Sequence, residues 1–106
     1  MTSDDRRRAQ RAAVPLDGHW EGASGHRTGR IADISAQGCF VESMVAPSIG
    51  EEVSLKVTLP GGAILEARSE VVYVLRGMGF GVRFIELTDA QQEVVAQAMQ
   101  QLLGGA

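Results

Sequence analysis

The chain has 106 residues, 44% of them apolar and 22% charged, with a formal charge of −3. That composition suits one globular domain with a modest core and is wrong for a disordered polymer. The net acidity argues against non-specific nucleic-acid binding, and the apolar runs are too short for a membrane-spanning helix. A single cysteine, Cys39, excludes an internal disulfide and a multi-cysteine zinc site. With only His19 and His26 besides, no structural metal is expected. The start, MTSDDRRR, is not followed by an apolar signal region, so a cytoplasmic location is the default expectation.

The charge is uneven. Residues 1–33 hold six basic and five acidic residues, while residues 34–106 hold four and eight. Four of the arginines, Arg6, Arg7, Arg8 and Arg11, crowd the front of the chain, so an anion site is expected to draw on this first third.

Residues 1–11 are polar and read as a flexible basic arm, with one domain over 12–106. Val14–Trp20 reads as a first strand, with Pro15 near its start, where a missing N–H matters least. EGASGHRTG, 21–29, has the Gly and Ser content of a turn. Arg30–Ser35 and Cys39–Ser43 are short strand candidates around Ala36, Gln37 and Gly38. In EVSLKVTL, Val53, Leu55, Val57 and Leu59 alternate with polar residues, the period of a half-buried strand. Pro60, Gly61 and Gly62 predict a hairpin turn. The following strand, Ile64–Leu75, is expected to place Leu65, Ala67, Val71, Tyr73 and Leu75 on one face. Gly77–Gly79 turn the chain, and Phe80, Val82 and Phe84 share a face of the last strand. A helix is predicted over about 89–103, with Thr88 or Asp89 as N-cap and Gln91 or Gln92 completing a capping box. Val95, Ala98, Met99 and Leu102 give it an apolar stripe, and Gly104 and Gly105 suit its end. Short strands closed by one helix predict an all-β fold, a small antiparallel barrel with a C-terminal helix.

No catalytic set can be assembled, so no enzyme is expected. Cys39 precedes an apolar run and reads as packing. GMGFG opens a strand rather than a helix, so it is not a dinucleotide fingerprint, and its glycines read as a turn and close strand packing. Two motifs remain. Arg7-x-x-x-Arg11 offers two planar guanidinium forks, each matched to a phosphate or to the O6/N7 edge of guanine. Asp33-Ile34-Ser35-Ala36-Gln37-Gly38 is a DxSxxG pattern. Asp33 is suited to accept from guanine N1–H and N2–H₂. Ser35 is suited to donate to a phosphate or to cap the turn. Gly38 permits a positive φ or close approach of a ligand. Taken separately, a solvated tail and a β-turn account for the same residues. At average usage RxxxR arises in about one such chain in four and DxSxxG in about one in forty.

Together the motifs resemble the PilZ domain family. RRRAQRAAVPL looks like its RxxxR and first strand, ADISAQGCFVES like its (D/N)xSxxG segment, and GFGVRFIELTDAQQ like its closing strand and helix start. The resemblance implies a six-stranded barrel that binds cyclic di-GMP, a bacterial second messenger. By analogy Arg7 and Arg11 grip guanine edges and phosphates, Asp33, Ser35 and Gly38 receive the ligand, and Arg6 and Arg8 are secondary. The four arginines should repel one another until the ligand's phosphates relieve them, so binding is expected to order the arm, a change that a downstream protein would read; no cofactor, metal, nucleic acid or membrane is expected. The alternative is a PilZ-fold adapter that binds protein only. Residues 14–29 are short and Gly-rich beside many relatives, which bears on the rim near the site.

Overall fold

A computed structural model describes residues 15–23 and 25–104. Six strands form a closed antiparallel barrel: β1 (Leu16–Gly22), β2 (Gly25–Ile34), β3 (Gly38–Glu42), β4 (Glu52–Thr58), β5 (Ile64–Leu75) and β6 (Gly79–Phe84). Their order around the barrel is β1-β2-β3-β6-β5-β4, with β4 pairing back onto β1. The fold class expected from the sequence is the one observed. Over the closed rows no sheet edge is left to pair with another chain.

Alternation builds the core. Val53, Leu55 and Val57 of β4, Leu65, Ala67 and Val71 of β5, and Phe80, Val82 and Phe84 of β6 all point inward and are buried. Trp20 lies at the centre with its ring edge against Phe80, centroids 5.3 Å apart. Cys39 is buried among them, as its packing role requires.

The structure corrects three expectations. The region 21–29 is mostly strand: β1 and β2 pair continuously from Leu16↔Ile31 to Gly22↔Gly25. Turn-forming composition yields here to cross-strand pairing, and the tight turn falls at the far end of the hairpin, away from the 33–38 motif. Next, β5 does not keep one face inward. A register irregularity lies between Val71 and Tyr73. The extra residue shifts the alternation, as a bulge does. Tyr73 and Leu75 face solvent, and Val74 packs against the core instead. Finally, the strands flanking the motif are offset: β2 ends at Ile34 and β3 begins at Gly38.

Helix α1 (Asp89–Gly104) packs against β5 and the turn at Pro60–Gly62. Val95, Ala98 and Met99 are buried, and Leu102 is partly so, as the predicted stripe requires. Its start is a capping box. The Gln91 N–H donates to Thr88 Oγ1 at 3.1 Å, and the Thr88 N–H donates to Gln91 Oε1 at 2.8 Å. Gln91 Nε2 also donates to the Glu66 carbonyl, tying the helix to β5. Gly105 lies outside the described residues. Among the described residues, no helix is long and apolar enough to cross a membrane.

Two tests follow from the core and the outer wall. The Trp20 indole N–H is buried without a hydrogen-bond partner among the described residues. Trp20→Phe removes that unmet donor, and should cost about 1 kcal/mol or less by urea unfolding, against about 3–5 for Trp20→Ala. Outside, Arg68 Nε donates to Glu52 at 2.7 Å and Nη1 to Glu86 at 2.9 Å. The hydrogen bond from Arg68 holds the Glu52 carboxyl below its ordinary 4.5. The resulting stabilisation is present above that value and lost as pH falls through the lowered one. Carbon-detected NMR titration should show Glu52 returning to the ordinary range in Arg68→Gln.

Candidate functional site

Strand order gathers one end of the barrel into a site. Asp33 lies near the end of β2, half-buried, where the β2–β3 register is irregular between Ile31 and Asp33. The Ser35–Gln37 loop follows. Leu16, the first residue of β1, pairs with Ile31, two residues before Asp33. In the sequence Arg11 stands four residues before Pro15 and Arg7 eight. Arg6, Arg7, Arg8 and Arg11 themselves lie outside the described residues.

Ser35 is 1% exposed, and its hydroxyl is spent on the loop. Oγ accepts from Gln37 N–H at 3.1 Å and Gly38 N–H at 3.3 Å, and donates to the Gly38 carbonyl at 3.3 Å. Ser35 N–H also donates to that carbonyl, at 2.8 Å. Of the two roles open to it from sequence, this geometry shows the turn cap. Ser35 therefore positions the loop.

Gly38 does not have a left-handed φ. A Cβ there would stand 2.0 Å from the Val82 carbonyl of β6. The close approach it permits is strand to strand, and it seats the loop's last residue on the wall.

The outer wall beside Asp33 carries residues that sequence reasoning missed. Asp33 pairs with Phe40, Phe40 with Gly81, and Gly81 with Tyr73, one cross-strand row over β2, β3, β6 and β5. Two residues along, Gly38 pairs with Arg83, whose guanidinium donates to Glu70 at 2.5 Å. Both side chains of that pair are partly exposed, so water screens it and the guanidinium is available to an anion. Phe40 was legible as outward because Cys39 and Val41 point in. Tyr73 was hidden by the bulge before it.

A cleft of about 1150 Å³ borders this wall between the loop, β6 and the start of α1. Ala36, Gln37 and Arg83 line one side, and Glu86, Asp89 and Glu93 the other. Three carboxylates disfavour a phosphate on that side. Among the described residues no cluster of three His, Cys, Asp or Glu side chains could hold a metal.

A family model for the PilZ domain matches residues 5–101. The chain belongs to the PilZ domain family. The match extends over both the arginine motif and DxSxxG. No curated protein matches in a sequence search. The fold is shared with solved PilZ structures. The Bacillus subtilis inhibitor of motility (MotI/DgrA) superposes with a TM-score of 0.81 at 19% identity, over 93% of this chain and 52% of that one. The chain thus spans about half the length of that protein. The PilZ domain of YcgR from Escherichia coli, solved with c-di-GMP, gives a TM-score of 0.79 at 13% identity, covering 94% of this chain and 93% of that domain. The PilZ domain of CeSA from a cellulose-synthesizing bacterium gives 0.66 at 19%, covering 91% and 97%.

Ser35→Ala tests the loop. It strands two N–H groups and one carbonyl bond in a buried turn, so thermal or urea unfolding should show a loss of about 1–3 kcal/mol. Gly38→Ala should cost more, because the added carbon meets backbone on a strand that cannot step aside.

Proposed function

We propose that this domain is a non-enzymatic receptor for cyclic di-GMP. The observation that carries the reading is that both motifs, RxxxR and DxSxxG, stand within the one PilZ domain match. The family match over both motifs, and the solution of the YcgR domain with c-di-GMP, support it. Arg7 and Arg11 grip guanine edges and phosphates from the arm, with Arg6 and Arg8 as supporting charge. Asp33 accepts from the guanine N1–H and N2–H₂. Ser35 and Gly38 hold the loop that receives the ligand against the wall.

Charge explains why the arm and the acidic barrel work together. Four arginines close in sequence repel one another, and a ligand with two phosphates removes that repulsion. Binding then orders the arm over the wall, and the ordered arm is the surface a downstream protein reads, a disorder-to-order switch. This reading needs no catalytic step, metal or cofactor.

Calorimetric titration of the full chain with cyclic di-GMP tests the proposal. Each charge-assisted bond contributes about 1.5–3 kcal/mol, so Arg7→Ala or Arg11→Ala should weaken affinity roughly ten- to a hundredfold. Raising salt should weaken the wild type further. Single-stranded DNA should give no heat. A wild type without heat at tens of micromolar ligand would leave the protein-only adapter as the function.

A further inference from the structure

We propose that the edge of β2 at Gly25–Gly29 takes an extended segment of a partner protein as an added strand, with a carboxylate against Arg27 and an apolar side chain over Met44 and Met78. This edge lies at the opposite end of β2 from the DxSxxG loop and is independent of the receptor reading.

Register exposes the edge. Strands β1 and β2 pair from Leu16↔Ile31 to Gly22↔Gly25, whereas β2 and β3 pair only from Arg30↔Glu42 to Ile34↔Cys39. Gly25–Gly29 therefore have a strand on one side alone, and Gly25–Thr28 are all exposed. In an antiparallel pair, alternate residues turn both N–H and C=O away from the partner strand. Along this segment those groups meet no further strand.

A groove of about 440 Å³ stands where β3 would have continued. Arg27 and Thr28 line one side, and Ser43, Met44, Val45 and Met78 the other. Ser43 turns the chain out of β3: its hydroxyl donates to the Val45 carbonyl at 2.5 Å, and its N–H donates to the Met78 carbonyl at 3.1 Å. These bonds hold the two methionines on neighbouring turns, where Met44 is 86% and Met78 63% exposed. Methionine adapts its shape to whatever apolar side chain it covers.

Charge selects the occupant. Arg27 is in register with Trp20 and so shares its inward face, but past the end of β3 it opens onto the groove. It has no ion-pair partner among the described residues. Glu42, which also lines the groove, is in register with Arg30. A second copy pairing antiparallel about Arg27 would set two guanidiniums opposite each other, which disfavours self-pairing. A strand that brings a carboxylate there meets attraction instead. Main-chain bonds along an edge supply affinity and alternate side chains supply choice, the mode of strand addition.

The test is an NMR titration of the full-length protein with the capped peptide Thr-Val-Thr-Glu-Thr-Val-Thr, whose Val and Glu side chains share one face of a strand. It should shift the amides of His26, Arg27 and Thr28 and the methyls of Met44 and Met78, with the buried Met99 methyl as the unmoved reference. A peptide with Lys for Glu should bind about two- to fivefold more weakly, the range of an exposed ion pair, and Arg27→Glu should reverse that order. Two further peptides are N-methylated, one at the four Thr and one at the Val and Glu positions. One should abolish the shifts and the other keep them, because an added strand pairs along one side only. No shift at about 1 mM of the Glu peptide, or equal binding of both N-methylated peptides, overturns strand addition. Shifts of the same amides that grow with protein concentration alone would assign the edge to a second copy and overturn it too.

Discussion

The seam between β3 and β6 is the constraint on which the rest depends. Two backbones approach there so closely that a carbon at Gly38 or Gly79 would lie 2.0 Å from a carbonyl oxygen of the facing strand. This seam joins the first three strands to the last three, with the β1–β4 pairing closing the other side. It also sets the height of the DxSxxG loop over the wall. The Phe84 N–H reaches across to the Gln37 carbonyl at 2.8 Å, so loop and last strand are held as one unit. Ser35 then fixes the loop from within. Ser35 and Gly38 of the motif are thus accounted for by architecture.

Acidity and anion binding are compatible because charge is partitioned by element. The carboxylates of Glu86, Asp89 and Glu93 gather on the helix side of the cleft. On the opposite wall Arg83 of β6 carries a partly exposed guanidinium. An anion approaching this end of the barrel meets repulsion on one side and attraction on the other. Orientation follows from that gradient before any specific bond forms.

Much of the fold was legible in the sequence where one physical rule acted alone. Strand β4 alternates without interruption, and it folds as its alternation says. The helix start was legible because Thr88 and Gln91 satisfy each other's backbone donors, a local arrangement that needs no tertiary information. The β1–β2 hairpin was misread because Gly and Ser carry turn propensity. That propensity loses to a long register in which Gly18 and Gly29 sit opposite each other. DxSxxG was legible as a motif, but whether Ser35 served the ligand or the loop depended on burial, which composition does not reveal. Tyr73 was out of reach for a stronger reason: the residue count of β5 misleads any strict period of two. A pair of glycines alternating with Phe80 and Val82 was the available hint that neighbouring rings lie close across this strand.

The bulge in β5 has a consequence for how such a surface arises and disappears over evolutionary time. Side-chain direction beyond Val71 is set by parity, by whether an odd or even number of residues separates a position from the last one fixed in the core. One codon inserted or deleted near Val72 would exchange the roles of Tyr73 and Val74, turning an aromatic ring inward and a valine out, with no change in the residues themselves. The chemistry of that wall is therefore encoded in spacing as much as in identity. Lineages descended from such a domain can gain or lose it by a single indel while every motif letter stays in place.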